Sequence, residues 1–206
     1  MKSAIELWQE AWKECLGDKD LTNARVGGRA SKINPNKEDV VQWQKQGVQW
    51  TQEYIAWRKG NPNWKIWKTP DGKPAIELPL SPIVAGLEVK MVIDRVFEVD
   101  GELVIVDLKT SSRDPASALQ LGFYKLGMEE AFHQPVNFGT YYMSRKAGTL
   151  AMIDLSWYTY EKMEYLIETF DKSRKAHIFL PNAESCNMCG FTKQCPFTSK
   201  KESQGE

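Results

Sequence analysis

Along the first third of the chain, apolar side chains recur at helical spacing. In residues 3–16, Ile5, Trp8 and Trp12 share one face, Cys15 follows at the same interval, and Gly17 is placed to stop the helix. Residues 17–37 lose this period and are polar. Their stretch NARVGGRASK sets Arg25, Arg29 and Lys32 around a Gly27-Gly28 loop. A second helix is predicted from the KEDV run at 37–40 through Trp57, with Val40, Trp43, Gly47, Trp50, Tyr54 and Trp57 at helical intervals. Gly60, Pro62 and Pro70-Asp71-Gly72 then interrupt the chain repeatedly.

From residue 75 the period changes to two. AIELPL reads as a strand, and KMVIDRVFEVDGELVIVDLKTSS reads as two strands joined at Asp100-Gly101, a pair suited to a two-residue hairpin turn. The second of these, LVIVDLKT, is almost continuously apolar, as expected of a strand buried on both faces. A helix is predicted over 116–132 through Leu119, Phe123 and Leu126. A strand pair, NFGTYYMSRKAG and TLAMIDLS, follows around Ala147-Gly148, and a last helix covers 159–177. The tail from Pro181 holds three cysteines, and 199–206 reads as a mobile, charged end. The expected organisation is one domain over 1–198: a helical part at 1–74, a sheet core at 75–158, and a helix with a cysteine-rich tail at 159–198.

Composition narrows the classes. With 206 residues, 42% hydrophobic and 26% charged, the chain is long and apolar enough for a real core without disulfides. No apolar run approaches the ~20 residues of a membrane helix. The amphipathic start MKSAIELWQEAWKEC does not read as a signal peptide, so a cytoplasmic protein without membrane contact is expected. Lys plus Arg and Asp plus Glu both number 27, which excludes a polycationic DNA-packaging chain but leaves room for a local basic groove.

The chemistry concentrates between Asp94 and Lys109. Asp94 closes one strand segment, Asp107 lies on its hairpin partner, and Lys109, two residues on, shares a face with Asp107. Two carboxylates with the Leu108 carbonyl make a hard-oxygen site suited to Mg²⁺ or Mn²⁺, and an adjacent ammonium can meet developing phosphate charge. These are the parts that phosphodiester hydrolysis needs. A hairpin carrying solvated charges is the plain alternative. Against it, Asp107 sits in the most apolar strand, where an unpaired carboxylate is costly, and the next helix sets Gln120 and Tyr124 on one face.

This ordered set resembles the PD-(D/E)XK nuclease superfamily in its RecB-like branch: Asp94, then Asp107-Leu108-Lys109, then Gln120-Leu121-Gly122-Phe123-Tyr124. The resemblance implies an α/β restriction-endonuclease-like core, a mixed central sheet flanked by helices. It implies that Asp94, Asp107 and the Leu108 carbonyl bind metal, that Lys109 contacts the water or scissile phosphate, and that Gln120 and Tyr124 brace the site or touch DNA. Met91 stands where the family often has glycine. GVQWTQEY lacks the early histidine, leaving Glu53 or Glu77 to complete the metal site.

Cys186-x2-Cys189-x5-Cys195, with distant Cys15, has metal-ligand spacing suited to zinc or an iron–sulfur cluster. Within RecB-like nucleases it resembles the iron–sulfur subgroup that includes AddB and the CRISPR-associated adaptation exonucleases. That resemblance implies a cluster, 4Fe-4S in type, clipping the helical N-terminus to the C-terminal tail. Arg145 and Lys146 are candidate phosphate contacts beside the site, as are Arg25, Arg29 and Lys32. Trp43, Trp50 and Trp57 could stack on bases, but their spacing favours a core-facing stripe. His133 and His177 receive no role.

The expectation is a metal-dependent, iron–sulfur-bearing DNA exonuclease acting on single-stranded or frayed ends; the resemblance implies 5′→3′ polarity, with 3′→5′ or endonuclease activity also found across the family. Its rivals are a non-catalytic DNA-end binder within a repair, recombination or spacer-acquisition assembly, and a zinc-stabilised restriction enzyme. DNA is the expected partner. A homo-oligomer or recombination and integration proteins are the further ones, and repair, phage DNA processing and spacer acquisition all suit the chemistry.

Overall fold

Ser3 opens the first helix, α1 (Ala4–Leu16), with a reciprocal cap. Its hydroxyl accepts the Glu6 N–H at 3.2 Å, and the Glu6 carboxylate accepts the Ser3 N–H at 2.7 Å. Gly17 ends the helix at φ 50°, as its position in the sequence predicts. The computed structural model describes residues 2–19, 40–178 and 195. The basic stretch holding Arg25, Arg29 and Lys32 lies outside these residues, as do Cys186, Cys189 and the 199–206 tail. By contact density the chain forms two compact units, Met1–Met163 and Glu164–Glu206.

Within the first unit, α1 lies on α2 (Val40–Gly60) at very close range. A Cβ on Gly47 would stand 1.9 Å from the Trp8 ring, so only glycine fits there. α2 runs to Gly60 rather than stopping at Trp57. The chain then forms β1 (Lys65–Ile66), β2 (Ile76–Leu80), β3 (Ile83–Val84), β4 (Leu87–Glu88), β5 (Met91–Val99) and β6 (Glu102–Lys109). Asp100 and Gly101 both take positive φ, 51° and 90°, as a tight hairpin between β5 and β6 requires. α3 (Leu119–Phe132) carries the chain over to β7 (Phe138–Met143), which pairs parallel to β6. A 3₁₀ turn (Ser144–Lys146), β8 (Gly148–Thr149), β9 (Ile153–Asp154) and α4 (Tyr160–Lys175) complete the order.

The main sheet is mixed, with β6 central between antiparallel β5 and parallel β7. β1 and β2 pair the outer edge of β5, and β8 and β9 pair β7. One apolar cluster joins Ile93, Val96 and Ile105 of the sheet to Leu121, Tyr124 and Met128 of α3. A second joins Phe97, Val104, Val106 and Tyr142 to Tyr54 and Trp57 of α2, with Trp57 5.4 Å from Trp64 and 6.0 Å from Phe97 between ring centres. At roughly 1.5–3 kcal/mol per fully buried large apolar side chain, these two layers hold the sheet between the helices. The architecture is the expected α/β one.

Three local expectations need correction. Asp94 is the fourth residue of a nine-residue strand, not its end, because Arg95 to Val99 continue the pairing with β6. α3 starts at 119 instead of 116, with Ala118 as an uncapped N-cap in non-helical geometry. The predicted strand over 149–156 is broken at Leu150, whose carbonyl accepts the Thr140 hydroxyl at 3.0 Å.

Candidate active site

The site grows where the β5–β6 ladder stops. The last paired residues are Arg95 and Val106, so Asp94 and Asp107 come next, facing each other across the hairpin. Asp94 Oδ2 accepts the Leu108 N–H at 2.7 Å, a carboxylate taking the place of a ladder carbonyl. The inward phase of β5 also slips here, since Ile93 and Val96 both enter the same core cluster although they are three residues apart. Opposite Asp94 on β2, Glu77 takes φ 47°. The sheet is therefore distorted at the point where its carboxylates gather.

Asp107 is only 2% exposed. Lys109 Nζ lies 2.6 Å from its Oδ2, yet that buried oxygen receives no aligned hydrogen bond. Burial raises the Asp107 pKa; Lys109 and the Tyr124 hydroxyl pull it back, and the Asp94 charge pushes it up again. Lys109 Nζ also donates to Gln120 Oε1 at 2.8 Å, and Gln120 Nε2 donates to the Tyr124 hydroxyl at 2.8 Å. Burial raises the Tyr124 pKa as well, so the phenol stays neutral. β5, β6 and the first turns of α3 thus bring together Asp94, Asp107, Leu108, Lys109, Gln120 and Tyr124, the set singled out in the sequence.

The other candidates lie apart from this group. Glu53, on α2, accepts a hydrogen bond from Gln49 at 2.8 Å, and its charge acts on Tyr142. Glu77 stands opposite Asp94 in register but is 65% exposed and paired with Arg95 at 3.2 Å. Neither is among the groups that shift Asp107. Arg145, on the 3₁₀ turn after β7, donates its Nε–H to the Thr110 carbonyl at 2.8 Å, one residue past Lys109, and its guanidinium lies 5.3 Å from the Trp50 ring. Lys146 pairs with Asp114 at 2.7 Å. Of the tryptophan series, Trp57 is in the core, as its spacing predicts, while Trp50 meets Arg145. Cys15 is exposed, Cys195 is half-buried, and both are free thiols.

Sequence reading missed Tyr141. It pairs in register with Asp107 across the parallel β6–β7 ladder, its ring lies 5.8 Å from Lys109 Nζ, and its hydroxyl donates to the Ser117 carbonyl at 2.9 Å. Burial, followed by the Asp107 charge, pushes its pKa up to about 12. A pairing across an intervening helix leaves no local signal. The only trace was its place in an apolar strand.

Among the described residues no group of three or more histidine, cysteine or acidic side chains gathers in a way that could hold a metal ion. A buried carboxylate beside a second one, with an ammonium as its only close cation and no aligned hydrogen bond on its Oδ2, is hard-oxygen chemistry that fits a small hard cation. No helix among the described residues is long and apolar enough to cross a membrane.

The chain is 34% identical over 145 residues to the Gene 69 protein of Mycobacterium phage D29, covering 67% of this chain and 54% of that protein. It is 30% identical over 172 residues to the Gene 69 protein of Mycobacterium phage L5, covering 77% and 58%. The chain thus spans little more than half the length of these curated relatives. A family model for the PD-(D/E)XK nuclease superfamily matches residues 4–196, and the chain belongs to that superfamily.

Proposed function

We propose that the protein is a divalent-metal-dependent deoxyribonuclease of the RecB-like kind, an exonuclease acting on single-stranded or frayed DNA ends. The observation that carries this reading is the buried Asp107 carboxylate, next in register to Asp94 and ion-paired at 2.6 Å with Lys109, in a chain of the PD-(D/E)XK superfamily. Asp94, Asp107 and the Leu108 carbonyl would hold Mg²⁺ or Mn²⁺. When bound, the cation supplies positive charge at the phosphate and favours deprotonation of the attacking water. Lys109 directs its ammonium to the negative charge that grows on the phosphate oxygens. Gln120 and neutral Tyr124 hold that ammonium and the Asp107 carboxyl in place. Arg145 and Lys146 contact the DNA backbone beyond the scissile bond.

Cys15, Cys186, Cys189 and Cys195 are the proposed ligands of an iron–sulfur cluster, a reading supported by their spacing and by a family match that takes in both ends of the set. A non-catalytic end binder has no need for Asp94, Asp107 and Lys109 together. The deciding assay incubates purified protein with Mg²⁺ or Mn²⁺ and end-labelled single-stranded, duplex and circular DNA. Metal-dependent shortening of linear strands, lost in Asp107→Asn, is expected. Binding of ends without cleavage under any metal would replace this function with the assembly role.

A further inference from the structure

We propose that Tyr141 is a positioning residue that fixes the Lys109 ammonium and the first turn of α3 together, and so sets where the scissile phosphate meets positive charge. This rests on the nuclease reading above. Lys109 is the last residue of β6 and carries a long, flexible side chain, whose ordering costs entropy unless several contacts share the task. Asp107 holds one side of its ammonium and Gln120 another. The face of the Tyr141 ring lies on a third side, 5.8 Å away, within the range of an attractive cation–ring contact.

The hydroxyl of the same tyrosine reaches further. It donates to the Ser117 carbonyl at 2.9 Å, immediately before α3. That helix begins without a side-chain cap on Ala118, and the Ser117 hydroxyl approaches Leu119 N–H only at 3.5 Å. The start of α3, and with it Gln120, therefore depends on a tie from β7. Tyr141 is buried, so ring and hydroxyl are fixed by the sheet, not by solvent. Its high pKa keeps the hydroxyl a donor throughout the working pH range.

The test is Tyr141→Phe, which keeps the ring and deletes the hydroxyl, set in a cycle with Gln120→Ala. For folded enzyme, kcat is expected to fall about tenfold, equivalent to ~1.4 kcal/mol, with KM for DNA unchanged within about twofold. The double variant should be no slower than Gln120→Ala alone, because the lost hydroxyl acts on Lys109 only through Gln120 at the start of α3. Independently of cleavage, the amides of Gly122 to Tyr124 should exchange faster with solvent deuterium in Tyr141→Phe. Wild-type kcat in the variant, multiplying effects in the cycle, or unchanged exchange would each overturn the proposal. If the wild-type protein cleaves no DNA, the nuclease reading falls, and the exchange comparison still decides whether Tyr141 holds the helix.

Discussion

Asp107 is where stability and chemistry oppose each other. Its carboxyl has a raised pKa because burial penalises the charged form. A carboxyl raised above its unfolded value of roughly 3.9 favours folding when protonated and opposes it once ionised. Stability from this group is therefore greatest at low pH and declines as pH climbs from the unfolded value through the raised folded one. Asp107→Asn should abolish cleavage yet raise the melting temperature of metal-free protein at pH 7, and that gain should shrink toward pH 4. A fall in melting temperature at pH 7 would show that the ion pair with Lys109 outweighs burial. Lys109→Ala should lower kcat by about 10²–10³-fold, the scale of losing one charge-stabilising donor, while metal titration by calorimetry keeps its stoichiometry.

Elements differ in how openly the sequence announces them. The β5–β6 hairpin was legible because its signal is local: two apolar strands around Asp100-Gly101. The same locality placed Asp94, Asp107 and Lys109 on neighbouring strands, and helical spacing placed Gln120 with Tyr124. The phase slip at Asp94 and the partnership of Tyr141 with Asp107 were hidden, since both depend on strands that meet only in the folded sheet. A further hidden tie is Lys125 in α3. It is 7% exposed, and its Nζ lies 2.6 Å from Glu129 and 3.0 Å from the Val136 carbonyl, pinning the helix to the approach of β7. Lys125→Ala should cost about 1–3 kcal/mol in denaturant unfolding, because it takes a donor from the buried Val136 carbonyl, while half-exposed Glu129 keeps the Val136 N–H at 3.2 Å. Gly47→Leu should separate α1 from α2, read as increased protease cutting in α1, while the sheet stays folded.

At the scale of the whole molecule, charge balance matters. Because the net charge is zero, the proposed DNA contact would rest on a few placed cations rather than on a general attraction. Arg145→Ala should flatten the salt dependence of single-strand binding by about 0.7 in log–log slope, one phosphate contact. If the slope is unchanged, Arg145 is no phosphate contact, and its role is within the protein, as in its contacts with Trp50 and Thr110. If the proposed cluster is bound, Cys15→Ser should bleach its visible absorbance and lower the melting temperature. Normal iron content in that variant would remove Cys15 from the cluster.

The parallel placement of β7 beside β6 has a consequence for the newly made chain. A ribosome that has delivered residues up to Phe132 has already synthesised Asp94, Asp107, Lys109, Gln120 and Tyr124, but not the strand that lines β6 and anchors α3. Until β7 arrives, the most apolar strand keeps an open edge, and α3 lacks its tie from Tyr141 to the Ser117 carbonyl. A truncated product ending at Phe132 is therefore expected to aggregate, read as its loss from the soluble fraction.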